Sequence, residues 1–512
     1  MNRRQFLLNT GVLTAGLTGA GVLPAWARAE EDAYFAGFRA GLKQHRWLAA
    51  FAGVAADLDA GPVAFDGRLP RDLRGVLHRN GPALFERAGQ RYHHWFDGDG
   101  MVQAYAFTDR GLTHRGRFVR TRKFKSEEAA GRFLHPGFGT TAKVKVPITG
   151  PDAVNPANTN VLVHAGRLLA LCEAGSAHEM NLETMATVGT VTWRDDLKGM
   201  PFSAHPKLEP DGTLWNFGAF NNHIALYQIG ADGKLDKAEV IKAPDVAMCH
   251  DFVVSQRHLV FVLPPMRMNI EKLRAGSSFV DAIDILKDAP MRVLTVEKGD
   301  FSRRKMYELP PGFVFHFGNA WEDKDGLIRF DYVRSDPGAD VMTATMRALM
   351  RGDVAGMGDP GNSLSTQVVI DPARGTIRQE SFKEDVEFPR VDPRFVARRN
   401  RQLFHTAGIS NGGNDSDSKF GLNAVLRYDL DSGKSDRYVF PREYSLEEHI
   451  PIPRPGSTRE GDGWLVGCAF NARTGKTEVN VFDAQRLAEG PLATAKLPYA
   501  IPLGFHGHFT AA

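Results

Sequence analysis

Gly166-Arg167-Leu168-Leu169-Ala170-Leu171 joins a turn residue to a short apolar run, the pattern of a buried strand too brief to be a helix. The arrangement returns at Thr213-Leu214-Trp215-Asn216-Phe217, Leu327-Ile328-Arg329-Phe330-Asp331 and Gly463-Trp464-Leu465-Val466-Gly467, each announced by an Asp-Gly pair. His258-Leu259-Val260-Phe261-Val262 belongs to the same set, with Ser255-Gln256-Arg257 as its turn. Many short strands in a chain with 52 Gly and 29 Pro predict an all-β fold. Three segments break the pattern. Ala33 to about Ala55 carries Phe35, Phe38, Leu42, Trp47 and Phe51 near the helical period, and about Met266 to Ala289 and Pro337 to about Met357 read as helical insertions above the β scaffold. The apolar face of Met342, Met346, Leu349, Met350 and Met357 suits core packing, with a greasy entrance or a peripheral membrane contact as the alternative use.

The 512 residues are 43% apolar and 24% charged, enough for a large core and unlike a disordered chain. Residues 1–29 contain Arg3, Arg4 and Arg28 and no acid, so the remaining 60 cations balance 60 anions. A neutral body without a basic block cannot gain much from counterion release, which argues against a nucleic-acid partner. Three cysteines, Cys172, Cys249 and Cys468, support neither a disulfide framework nor a zinc knuckle and are expected as buried small hydrophobes.

Asn2-Arg3-Arg4-Gln5-Phe6-Leu7-Leu8 opens a mildly apolar run that ends at Ala27-Arg28-Ala29, a small-x-small site. This predicts a twin-arginine signal peptide over residues 1–29, a mature domain over 30–512 and a periplasmic location. Five Gly or Thr between Thr10 and Thr18 make a retained anchor the weaker reading.

Four histidines stand in aromatic or glycine-rich company: Ala204-His205-Pro206-Lys207, Met248-Cys249-His250-Asp251-Phe252, Phe315-His316-Phe317-Gly318 and Gly504-Phe505-His506-Gly507. Their separations of 45, 66 and 190 residues match no local metal motif. Taken with Arg79-Asn80-Gly81-Pro82, His94-Trp95-Phe96-Asp97-Gly98-Asp99-Gly100-Met101-Val102 and Ala157-Asn158-Thr159-Asn160-Val161, in this order, the chain resembles the carotenoid cleavage oxygenases from about Gly75 to Phe509. The family includes apocarotenoid, lignostilbene and isoeugenol oxygenases.

The resemblance implies a seven-bladed β-propeller with a helical cap over the metal face, and one Fe(II) held on the axis by His205, His250, His316 and His506. It further implies three glutamates behind those rings, Glu173, Glu387 and Glu448, partnering His250, His316 and His506 respectively. The seven residues Glu173, His205, His250, His316, Glu387, Glu448 and His506 are 32, 45, 66, 71, 61 and 58 apart, about one per blade, so an inner strand of each blade could aim one side chain at the axis. Carboxylates accepting the outer N–H would fix the tautomer and raise ring basicity. Three of them would bring the +2 of the ion to a local −1.

The implied reaction is addition of O2 across one C=C bond of an apolar conjugated substrate, giving two carbonyl products without an external reductant. In the stilbene-cleaving branch a lysine precedes the first of these glutamates; Cys172 stands there, which favours a carotenoid or apocarotenoid over a stilbene or phenylpropene. A propeller that binds or isomerises an apolar ligand without cleavage is the alternative of a different class. His93-His94 and His508 are expected at the surface or in an outer layer. Asp97-Gly98-Asp99-Gly100 is read as a turn, because Thr108 stands where a calcium loop needs Glu.

Overall fold

Innermost and outermost edges organise this fold, and both are set by short strands that alternate in burial. The computed structural model describes residues 32–512 apart from 142–145, 147, 174, 221, 244–245, 337–338, 359–360 and 410–420, so the expected signal peptide lies outside the described residues. Seven antiparallel sheets surround one axis as propeller blades. Strands Gly75–Leu84, Asp99–Thr108, Gly111–Phe118 and Leu58–Val63 form blade 1, and four strands between Asn160 and Thr190 form blade 2. Blade 3 runs from Lys207 to Lys242 and blade 4 from Val253 to Leu309. Blades 5 and 6 are continuous: the 15-residue strand Thr376–Arg390 leaves the outer edge of one and becomes the inner edge of the next. Blade 7 holds Tyr444–Pro453, Gly463–Asn471, Lys476–Asp483 and Ala493–Lys496.

The two chain ends close the ring. Phe65–Gly67 pairs with Ala493–Ala495 on the outer edge of blade 7, and His506–Ala511 pairs with Gly75–Asn80 on the inner edge of blade 1. Trp464, Val466, Val479 and Ile450 of blade 7 then pack against Tyr105 and Phe107 of blade 1. Each large apolar side chain buried in such a seam contributes ~1.5–3 kcal/mol. Gly81 is required here, since a β-carbon would lie 2.3 Å from the α-carbon of Gly504. Arg79, 1% exposed, pins the same seam: it ion-pairs with Glu447 at 2.7 Å and donates to the carbonyls of Glu448 (2.8 Å) and Phe505 (2.9 Å). Asn80 donates to the carbonyls of Ala157 and Asn160, and Asn158 to those of Phe96 and Gly98. The Arg-Asn-Gly-Pro and Ala-Asn-Thr-Asn motifs are thus blade clips.

The cap differs in detail from the expected helices. Helix α1, Ala33–Gln44, stops where His45 turns extended (φ −126°, ψ 98°), and a 3-10 helix, Arg46–Phe51, replaces the rest. The segment 266–289 is largely a hairpin, Met266–Met268 against Ile283–Ile285, enclosing one helical turn and a half, α2, Ile270–Arg274, and a 3-10 turn, Val280–Ala282. Its apolar residues serve strand pairing instead of a long helical face. Helix α3, Ala339–Met350, forms within the expected segment but ends before Met357, which packs on the same cluster from beyond the helix. Phe38, Trp47, Phe51, Met346 and Leu349 join α1 and α3 into one cluster over Phe470 and Leu503. Among the described residues no helix is long and apolar enough to cross a membrane. All three cysteines are buried and outside any disulfide.

Candidate metal centre

His205 and His250 immediately precede the inner strands of blades 3 and 4, His316 and Glu448 lie within those of blades 5 and 7, Glu387 lies on the strand entering blade 6, and His506 starts the closing strand. The expectation that every blade contributes from an inner strand fails at Glu173. It sits in the turn after the second strand of blade 2, Arg167–Leu171, while on the inner strand Asn160 donates to the Ala204 carbonyl just before His205.

Local irregularities do the aiming. Alternation along a strand would send neighbouring residues to opposite faces, and an extra residue breaks that rule. The register shifts at Phe315-His316, at Phe388-Pro389 and at Glu447-Glu448, in three inner strands, and the strand that bears His316 shifts a second time between Phe317 and Ala320. At Phe388-Pro389, Phe388 takes a left-handed conformation (φ +53°), unusual for an aromatic residue and held here by its surroundings. Pro389 loses nothing at a bulge, having no N–H to pair.

The four imidazoles converge, each offering one ring nitrogen within 4.8 Å of the others. His205 Nε2 is 2.9 Å from His250 Nε2, which is 3.3 Å from His316 Nε2. Behind them, Nδ1–H of His250 donates to Glu173 Oε1 (2.8 Å), that of His316 to Glu387 Oε2 (2.6 Å) and that of His506 to Glu448 Oε1 (2.9 Å), the three pairings expected. A ring that donates from Nδ1 keeps a lone pair on Nε2. The lone pairs of His250 and His316 therefore face each other, an arrangement that only a shared cation makes favourable. Two nitrogens bound at right angles with the ~2.0–2.1 Å length of a metal–imidazole bond would stand about 3.0 Å apart, close to what is seen. The residues present fit a metal ion.

His205 lacks a carboxylate of its own. Its Nδ1 is 3.9 Å from Asp251 Oδ2, and Asp251 is occupied by Lys207 (2.7 Å) and the backbone N–H groups of Phe252 and Phe317. The backbone fixes this ring: His205 N–H donates to Ser203 Oγ (3.0 Å), and Asn216 holds the Ser203 carbonyl. Burial, with the neighbouring rings, drives His205 well below the usual imidazole range, and burial pushes His506 down to about 3. Burial would also lower His250, but the Glu173 carboxylate raises it instead. Glu448 is held well below the carboxylate range, where Arg390 and His506 outweigh burial. Neutral rings with ionised carboxylates behind them are what a buried cation needs.

Sequence reasoning missed Arg390, whose Nε and Nη2 meet Glu448 Oε1 (2.7 Å) and Oε2 (2.9 Å). Arg390 corrects the expected charge: ion and three glutamates sum to −1, and the guanidinium restores neutrality. It also missed the roof. Phe315 stands edge-on to His250 (5.1 Å), Phe388 stacks on His316 (5.4 Å), and Phe96 bridges Phe315 and Phe505. Met248, Met266, Phe313 and Met342 extend this apolar wall into the cap. His94, expected at the surface or in a second layer, is fully buried and not at the surface: its Nδ1 accepts from Phe96 N–H (3.2 Å) and its ring packs on Phe138. His508 pairs across the strands with His78, outside the cluster. Asp97 is satisfied by Thr140 and Gly139, and Asp99 by Arg87 and Lys123, so the turn reading of that loop agrees with the structure.

Comparison with known proteins agrees with this geometry. Residues 51–511 match the family model of retinal pigment epithelial membrane protein. The apocarotenoid-15,15'-oxygenase of Synechocystis is 31% identical over 488 residues, 90% of this chain and 95% of that protein. A lignostilbene-alpha,beta-dioxygenase isozyme of Sphingomonas paucimobilis is 27% identical, covering 87% and 93%. The crystal structure of the cobalt-substituted Synechocystis enzyme superposes with a TM-score of 0.81 at 30% identity, covering 91% of this chain and 98% of that one. The chain belongs to the retinal pigment epithelial membrane protein family, that is, to the carotenoid cleavage oxygenases, and is an oxygen-incorporating enzyme of the carotenoid-cleavage type.

Proposed function

We propose that this protein is an Fe(II) dioxygenase that cleaves one C=C bond of a carotenoid or apocarotenoid, with His205, His250, His316 and His506 as the metal ligands. The observation that carries the reading is the convergence of four Nε2 lone pairs under a wall of phenylalanines. Ferrous iron held there would bind and activate dioxygen, and the electron-rich C=C bond that is cut would supply the four electrons that reduce it, so that R–CH=CH–R' and O2 become RCHO and R'CHO with no other reductant. The protein's own part is placement. Glu173, Glu387 and Glu448 hold three rings in the one tautomer that presents a lone pair inward. Phe96, Phe315, Phe388 and Phe505 exclude water and offer flat apolar surface to a rod-shaped polyene, whose position along that wall decides which double bond is cut.

Cys172, buried where the stilbene-cleaving branch has a lysine, leaves no cation for a phenolic hydroxyl and supports the carotenoid class. The similarity to an apocarotenoid oxygenase points the same way, whereas the lignostilbene relative supports a phenolic stilbene or phenylpropene. Incubating iron-loaded protein with a panel of apocarotenals and hydroxystilbenes under 18O2, followed by mass spectrometry, separates these readings. Labelled aldehydes from the apocarotenals are expected. Labelled products from stilbenes alone would transfer the assignment to that class, and unlabelled or isomerised ligand would mark a binder or isomerase. Residues 1–29, with Arg3-Arg4 and Ala27-Arg28-Ala29, support export by the twin-arginine route; periplasmic protein should begin at Glu30.

A further inference from the structure

We propose that Arg390 is a positioning and charge-balancing residue of the metal centre: through Glu448 it locks the His506 arm, and its cation keeps a bound iron in the ferrous state. The inference rests on the four-histidine iron reading above and concerns a residue which that reading does not need.

The three carboxylates behind the rings are held very differently. Glu448, 1% exposed, accepts four donors: His506 Nδ1 and Arg390 Nε on Oε1, and Arg390 Nη2 and the Gly507 N–H (2.9 Å) on Oε2. Arg390 Nη2 also donates to the Gly507 carbonyl at 3.1 Å, so the guanidinium grips both the carboxylate and the strand that bears His506. Such a two-pronged pair fixes a carboxylate in plane and in rotation, which a single contact cannot do. Glu387 takes both its donors, His316 Nδ1 and the Phe388 N–H, on Oε2. Glu173 has His250 on Oε1, while its buried Oε2 has no hydrogen-bond partner.

Arg390 reaches Glu448 because of the Phe388-Pro389 bulge. Glu387 and Arg390, three apart, would face opposite sides of a regular strand; the extra residue turns both toward the axis. One irregularity therefore serves two rings, His316 directly and His506 through Glu448.

Charge gives the second half of the argument. The neighbouring pairs Lys207–Asp251 and Arg79–Glu447 are each internally neutral. What remains is three carboxylates and one guanidinium, a net −2 that balances a divalent ion. Without Arg390 the surroundings would carry −3 and would balance a trivalent ion instead. Glu448 is 1% exposed and Arg390 32%, so the charge is only partly screened and that difference favours the ferric state.

The test is the ferric/ferrous midpoint potential of iron-loaded protein, together with the rate at which a chelator captures the ferrous ion, in wild type, R390Q and R390K. R390Q is expected to raise the ferric-over-ferrous affinity ratio about tenfold, a fall of about 59 mV for one electron, and to speed chelator capture. R390K keeps the charge and loses the fork, so its potential should stay near wild type while capture is still faster than wild type. A wild-type potential in R390Q, or R390K falling as far as R390Q, would overturn the charge role. Wild-type capture rates in R390K would overturn the positioning role, and this holds even if R390Q fails to fold. Wild-type protein that takes up no iron would instead sink the metal reading itself.

Discussion

His506 and His250 occupy equivalent places around one centre, yet the structure supports them unequally. The His506 arm is built at the seam where the chain closes, with Glu448 saturated by four donors and Arg79 binding the adjacent carbonyls. The His250 arm rests on Glu173, a residue of a turn, through one hydrogen bond, with its second oxygen unpaired. The difference teaches that a metal centre spread over seven blades needs only part of its frame to be rigid. The closing strand holds one ligand through many contacts, and the opposite side, beneath Phe315 and the apolar wall, is held through few.

The largest effect should ignore the contrast altogether. Replacing any one ring, His316→Ala above all, should remove much of the iron and nearly all cleavage, as read by metal analysis and product formation. Full occupancy with normal turnover in that variant would refute its role as a ligand. Next, the carboxylates should separate the two sides. Glu448→Gln and Glu387→Gln are expected to weaken iron binding or activity by ~10–100-fold, the range typical for groups that orient metal-bound histidines. Glu173→Gln should cost less than either, because the amide oxygen can still accept from His250 Nδ1–H and no second donor is lost. The reverse order in a chelator titration would erase the comparison.

The last effect concerns stability, at a buried acid outside the metal centre whose burial outweighs the pull of Lys207. Asp331 is buried, its Oδ2 lacks a partner, and burial pushes its carboxyl up to about 7. A folded-state value above the unfolded one near 3.8 means that the folded protein holds the proton more tightly. Stability is therefore complete at low pH on this account and is lost as pH rises from about 4 to about 7. Asp331→Asn should abolish that slope and stabilise the protein by up to ~4 kcal/mol at pH 8, with little change at pH 4, in urea titrations at the two values. Equal destabilisation at both would show that Asp331 serves a hydrogen bond and not a buried charge.

Much of this was legible from residues alone, for identifiable reasons. Strands such as Arg167–Leu171 and His258–Leu263 carry local turn and apolar signals that tertiary structure did not override. The histidines and glutamates were legible by resemblance, and their pairings agree with the geometry. Arg390 was not, because its partner is 58 residues away and a bulge reverses its facing, which no periodicity encodes. Closure by Phe65–Gly67 and His506–Ala511 was hidden for a similar reason, since short strands at opposite ends of a chain leave no local trace of their pairing. The hairpin at 266–289 was misread as a helix because apolar spacing in a short segment satisfies both periods.

The central claim is that four distant imidazoles bind one ferrous ion. Anaerobic titration of the metal-free protein with Fe(II), read by bound iron per chain, tests it most directly when wild type is compared with His205→Ala, His250→Ala, His316→Ala and His506→Ala. One tightly held iron in wild type, with strongly reduced retention in all four variants, is predicted; wild-type stoichiometry and retention in any of the four would contradict it.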